Sequence, residues 1–116
     1  MVRTIDWYYR RNNCTSCAKA DALLDEKGLK ARSVVDARKE KLGKPQIASI
    51  LRGTTLVVAS KGKTTVDFDL KRDPPVEKVL YEHLIGPTGG LRAPAMRLGK
   101  TLVVGFHEER WKQLLA

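Results

Sequence analysis

This chain of 116 residues has no long apolar run: no stretch approaches the roughly 20 consecutive residues that a membrane-spanning helix requires. Cysteine is scarce, with two in all, so a disulfide framework cannot be what holds the fold together. Histidine is equally scarce, at His83 and His107, without the paired spacing of a zinc site. There is no internal repeat, low-complexity tract or linker, so every motif belongs on one compact fold. No Ser-His-Asp set or paired-carboxylate arrangement is present. Gly86 to Gly90 lacks the lysine and the strand–helix context of a phosphate loop and reads as a turn. Met1 to Asp6 lacks the apolar core of a signal peptide, which makes a cytoplasmic address and no membrane the expectation.

What is present is an ordinary globular composition, 42% apolar, in a length that suits one domain over residues 1–116. Such a chain buries a real core without staples. Its charge is basic, with 22 Lys plus Arg against 13 Asp plus Glu and a net of +9. The excess is spread along the chain: 12 basic and 6 acidic residues fall in positions 1–60, 10 and 7 in positions 61–116. No basic run is interleaved with aromatics, so a solvated basic surface is expected rather than direct nucleic-acid binding. That surface favours acidic partners, including small anions such as glutathione.

The pattern along the chain alternates strands and helices. Val2 to Tyr9 is aromatic and β-branched, a strand whose Trp7, Tyr8 and Tyr9 pack rather than stack on a ligand. Ser16 to Lys27 favours helix and Gly28 is placed to stop it; Val34 and Val35 then mark a second strand within Lys30 to Asp36. Together these form a βαβ unit. Ala37 to Gly43 is loop, and Pro45 can open a helix carrying Ile47, Ile50 and Leu51 up to Gly53. Leu56 to Ala59 and Thr64 to Leu70 flank Lys61-Gly62 as a hairpin. Asp73-Pro74-Pro75 reads as a helix start, and Val76, Val79, Leu80 and Leu84 face the core by spacing. A second hairpin, Ala93 to Leu98 and Thr101 to Val104, turns at Gly99-Lys100. A last helix carries Trp111, Leu114 and Leu115 on one side, with His107 able to cap it. The order suits an α/β layer fold with a mixed sheet.

The two cysteines are separated by two residues in a Cys14-Thr15-Ser16-Cys17 motif at the junction of the first strand and the first helix. A thiol at a helix N-terminus meets unpaired N–H groups and the positive end of the helix dipole, which stabilise the reactive thiolate. Cys17 lies one turn further on, within reach of Cys14 and more covered, so it can resolve a mixed disulfide formed at Cys14. Arg10 and Arg11 would lower the same pKa if they pointed inward. The spacing is also half of a zinc site, and it fits two ordinary buried thiols; the strand–helix context favours the redox pair.

At this point the chain resembles the thioredoxin fold, and within it the arsenate-reductase-like branch that also contains Spx-type redox regulators. The resemblance rests on Trp7-Tyr8-Tyr9-Arg10-Arg11-Asn12-Asn13-Cys14-Thr15-Ser16-Cys17, on Gly90-Leu91-Arg92-Ala93-Pro94, on Gly99-Lys100-Thr101-Leu102-Val103-Val104-Gly105-Phe106, and on His107-Glu108-Glu109-Arg110-Trp111. It implies a thioredoxin-like, glutaredoxin-like mixed four-stranded sheet with flanking helices and a variable helical and hairpin segment at about 37–86. Cys14 matches the family's nucleophile, and Cys17 the second thiol of its dithiol members. Pro94 falls where the fold carries a cis-proline that leaves neighbouring backbone free for an extended substrate. Arg92 matches an arginine that faces the nucleophile and binds an anion, with Arg11 and Lys19 as further substrate contacts.

The implied activity is thiol–disulfide exchange with a protein or glutathione substrate, with no bound cofactor or metal and glutathione as the candidate reductant. The alternatives are a redox-switched adaptor binding a protein such as RNA polymerase, and a glutathione- or glutaredoxin-linked arsenate reductase. Two departures weigh against arsenate. The first helical turn carries Cys17, Ala18 and Lys19 where that family places an arginine, and Phe106 stands where it places another. Lysine cannot reproduce a guanidinium fork.

Overall fold

A computed structural model describes residues 4–116. Ten elements follow one another: β1 (Trp7–Arg10), α1 (Thr15–Glu26), β2 (Val34–Asp36), α2 (Lys44–Arg52), β3 (Leu56–Lys61), β4 (Thr64–Asp69), α3 (Glu77–Leu84), β5 (Ala95–Leu98), β6 (Thr101–Val104) and α4 (Glu108–Leu114). The strands form one sheet in the order β2-β1-β5-β6-β3-β4. Strands β1 and β2 run parallel, β5 is antiparallel to β1 and to β6, and β6 is parallel to β3.

Helices cover both faces. The strand period of two sends alternate residues to opposite sides. Tyr8, Val58, Met96 and Val103 pack with Ala20, Leu23 and Leu24 of α1 and Trp111 of α4. Tyr9, Val57, Ala59, Ala95, Leu102 and Val104 pack with Ile47 of α2 and with Leu80 and Leu84 of α3. Burial on both faces explains why β3 and β6 read as continuous apolar runs rather than as alternation.

The four strands β2-β1-β5-β6 make up the mixed sheet expected of the fold. The hairpin in the middle of the chain does not stand apart as an insertion. Strand β3 docks on β6 with Val57 opposite Leu102 and Val58 opposite Val103, so the sheet has six strands rather than four. A parallel docking between residues more than 40 positions apart leaves no local trace in a sequence.

Boundaries differ at the start of β1 and at the start of α3. Strand β1 begins at Trp7; Ile5 forms only an isolated bridge to Ala31, and residues 2 and 3 of the expected strand lie outside the described residues. Asp6 is turned aside, its carboxylate accepting the Gly99 N–H at 2.7 Å. Helix α3 starts at Glu77 and not at Asp73, because the segment through Pro74 and Pro75 is non-helical and Val76 is the cap. Val76 and Val79 are accordingly exposed, at 72% and 40%, and do not face the core as their spacing suggested. The core contacts of α3 come from Leu80 and Leu84, four residues apart on one face.

The final helix is short and anchored. His107 caps it, Nδ1 accepting the Arg110 N–H at 3.2 Å. Trp111 is fully buried, with edge contacts to Tyr8 and Phe106, and its indole donates to the Gly105 carbonyl at 2.9 Å. Gly105 has φ +80, and a Cβ there would sit 2.2 Å from the Ser60 carbonyl oxygen of β3. Gly105→Ala therefore has to move backbone. It is expected to destabilise the protein by about 2–4 kcal/mol and to lower Tm by roughly 10 °C, read by calorimetry.

Candidate redox site

The site is built where β1 gives way to α1. Strand β1 ends at Arg10, and the chain crosses an exposed turn in which Asn13 adopts φ +58, a conformation asparagine tolerates better than most residues. Cys14 then becomes the N-cap of α1 with extended φ and ψ, and its Sγ accepts the Cys17 N–H at 3.3 Å. A sulfur thus fills the role that a serine or aspartate oxygen usually plays at a helix start. Both cysteines are free thiols.

The two thiols differ sharply in environment. Cys14 is half-buried and opens onto a cavity of about 410 Å³ lined by Arg10 to Thr15 and Ala18. Cys17 is fully buried. Burial pushes the Cys17 thiol up from its ordinary pKa, the neighbouring Cys14 sulfur adds to this, and the Arg11 backbone N–H acts the other way. Cys17 is thus held neutral while Cys14 meets solvent, the asymmetry that an attacking and a resolving thiol require.

Arg10 does not point into the motif. Its guanidinium forks onto Asp21 of α1, Nη2 to Oδ2 at 2.8 Å and Nε to Oδ1 at 3.3 Å, and Nη1 donates to Asn12 at 2.9 Å. The Tyr8 hydroxyl donates to the same carboxylate at 2.7 Å. Burial first, and then this bond to Asp21, raise the Tyr8 pKa well above its usual value. Asp21 was invisible as a site residue, since an acidic residue on a helix is usually solvated. The one signal was its spacing: residues 14, 17 and 21 recur as i, i+3 and i+7 on one helical face. The network pins α1 to β1 and so holds the motif at the end of the strand.

The remaining expected site residues are dispersed around this cavity. Arg11 is exposed and lines it. The Ala93–Pro94 peptide is cis, and Pro94 is fully buried with its carbonyl accepting the Gly105 N–H at 2.8 Å. Arg92 is half-buried and Nη1 donates to the His83 carbonyl at 3.1 Å, while burial lowers its pKa. It lines a neighbouring groove, which Arg11 also borders, rather than the cavity of Cys14. Lys19 is exposed and faces a third cavity, beside Phe106 and His107. Among the described residues, no three His, Cys, Asp or Glu side chains converge on a metal position, and no helix is long and apolar enough to cross a membrane.

A βαβ unit opening on a C-x-x-C helix cap, followed by a cis-proline ahead of an antiparallel hairpin, defines a thioredoxin-like protein with a dithiol site. No protein-family model matches the chain. Over 113 residues, covering 92% of this chain and 84% of theirs, it is 31% identical to the global transcriptional regulators Spx of Listeria innocua and Listeria monocytogenes. Over the same span it is 30% identical to global transcriptional regulator Spx 1 of Oceanobacillus iheyensis. The chain belongs to the Spx family, in the arsenate-reductase-like branch of the thioredoxin fold.

Two measurements follow from the thiol asymmetry. Under native conditions iodoacetamide is expected to label Cys14 and to reach Cys17 only on unfolding, as read by peptide mass mapping; equal labelling would contradict the burial of Cys17. An unfolded cysteine ionises near about pH 8.5, whereas folded Cys17 stays protonated above that. The unfolded chain then binds fewer protons, so stability is full below about pH 8.5 and falls as pH rises, by up to roughly 1.4 kcal/mol per unit from this group. Cys17→Ala is expected to flatten that alkaline decline in urea midpoints.

Proposed function

We propose that this chain is a redox-responsive regulator whose Cys14–Cys17 dithiol controls its binding to a protein partner. The family supplies the class, since the relatives are named global transcriptional regulators. RNA polymerase is the partner that the resemblance implies. The observation that carries the reading is the placement of a half-exposed thiol as the cap of α1, over a buried second thiol.

An oxidising disulfide is attacked by the Cys14 thiolate, which bonds to one of its sulfurs and expels the other as a thiolate. Cys17 then loses its proton to solvent and attacks the Cys14 sulfur, releasing the second thiol. The substrate disulfide has become two thiols and the dithiol one disulfide, a transfer of two electrons. Forming the bond draws the Cys14 sulfur onto Cys17 and removes it from its N–H partner, which reshapes the exposed turn at residues 11–13 and the first turn of α1. That turn is the surface whose form depends on redox state.

The test is binding of immobilised chain to purified RNA polymerase in reducing and in oxidising buffer. At least about a tenfold difference in Kd is expected, and Cys14→Ser and Cys17→Ser should each abolish the difference. Binding indifferent to redox state would overturn the reading. The exposure of Cys14 also supports a second role, turnover of small or protein disulfides. In that case Cys17→Ser accumulates a mixed disulfide and Cys14→Ser does not. Equal disulfide reduction by wild type and both variants would remove this second role.

Arsenate reduction has less behind it. Arg10 is engaged with Asp21, Lys19 faces elsewhere, and Phe106 packs on Trp111.

A further inference from the structure

We infer that the protein carries a second site, a groove that binds a small molecule with two or more oxyanionic groups, beside the cavity of Cys14 and sharing Arg11 with it. The groove encloses about 420 Å³ between the loop that follows β2 and the loop that precedes β5. Arg11, Arg38, Lys41 and Arg92 line it, and no aspartate or glutamate does. Four cations drawn from three separate segments thus face one concavity in a chain whose charge otherwise looks dispersed.

The walls are held rather than incidental. The Tyr9 hydroxyl donates to the Glu40 carbonyl at 2.8 Å and accepts the Leu42 N–H at 3.2 Å, which fixes the loop carrying Arg38 and Lys41 to the sheet. The Leu91 N–H donates to the Leu42 carbonyl at 2.8 Å and joins that loop to the opposite wall. The opposite wall is Gly86 to Gly90, closed on itself by the Gly86 N–H donating to the Gly90 carbonyl at 2.8 Å and the Gly89 N–H to the Gly86 carbonyl at 3.0 Å. Its glycines make room for the cations. A Cβ at Gly90 would fall 2.8 Å from Lys41 Cγ, and one at Gly86 would fall 3.4 Å from Arg92 Cγ.

Electrostatics points to the occupant. Among the described residues the two ion pairs are Arg10–Asp21 and Arg110–Asp67, so none of the four groove cations has a carboxylate partner. Arg92 is half-buried with its guanidinium bonded to a single carbonyl, and burying a charge without a counter-charge is unfavourable. A carboxylate or phosphate ligand brings the charge opposite to that of Arg92, Lys41 and Arg38, and its paired oxygens suit a guanidinium fork. Several cations spread along the groove select for more than one anionic group. The size of the cavity suits a small molecule rather than a macromolecule.

Calorimetric titration of the reduced full chain with inorganic pyrophosphate, and separately with citrate, in 0.15 M NaCl tests this. Saturable binding of one anion per chain is expected for at least one probe. The exposed double variant Arg38→Ala/Lys41→Ala should bind about tenfold more weakly, and Arg92→Lys should also weaken binding because a fork becomes a point charge. Lys61→Ala/Lys63→Ala, at the end of β3 and in the turn that follows it, away from the groove, should leave affinity unchanged. Absence of saturable binding by both probes would overturn the inference, as would equal losses in the two double variants, which would mean diffuse surface charge. Displacement of the bound anion by a short DNA duplex would overturn it too, by assigning the groove to nucleic-acid phosphate. The readout is binding, so it stands or falls independently of the partner and redox experiments.

Discussion

Four parts of the fold converge on the backbone of Gly105. Its N–H donates to the carbonyl of the cis-proline, Pro94, and its carbonyl accepts the indole of Trp111. Its bare Cα lies against the Ser60 carbonyl, with the Arg92 guanidinium close by. The end of β6, the approach to β5, the end of β3 and the final helix are therefore registered against each other at one residue without a side chain. Any Cβ would force at least one of them apart. The segment before β5 borders the basic groove and shares with β1 the sheet that presents the dithiol, so both sites inherit their geometry from this crossing.

The dithiol depends on a division of labour along α1. The N-cap Cys14 reaches solvent and Cys17 is sealed in the core, because Cys17 lies on the same stripe as Ala20, Leu23 and Leu24. The Tyr8–Asp21–Arg10 network fastens the helix to β1 through a partly exposed ion pair worth about 0.5–1 kcal/mol on its own. Its value is in orientation: it keeps Cys14 at the point where the strand stops. With the Arg10 guanidinium bonded to Asp21, the hydrogen bond that the Cys14 sulfur accepts is from the Cys17 N–H at the helix terminus.

The basic groove shows how a dispersed charge becomes a local one. Arg11 follows β1, Arg38 and Lys41 follow β2, and Arg92 precedes β5. These three strands are neighbours in the sheet. Loops that leave adjacent strands at the same end meet in space whatever their separation in the chain, and a glycine-rich wall lets long basic side chains lie flat against it.

By itself the sequence determined the βαβ start, the hairpins, the cap at His107 and the placement of Cys14 and Cys17 at a helix start. Each of these rests on local chemistry: strand and helix periodicity, turn residues, and a three-residue spacing on a helix. The anchoring face of the last helix was equally legible, since Trp111 and Leu115 are one turn apart. Other features were decided only by tertiary structure. Val76 and Val79 have helical spacing but no neighbouring surface to bury them, and Pro74 and Pro75 moved the helix start past Asp73. The docking of β3 on β6, the capture of Arg10 by Asp21 and the gathering of Arg11, Arg38, Lys41 and Arg92 all join residues from different elements and loops. Periodicity reports what one segment presents to its surroundings, whereas these contacts depend on which surroundings the sheet order brings to it.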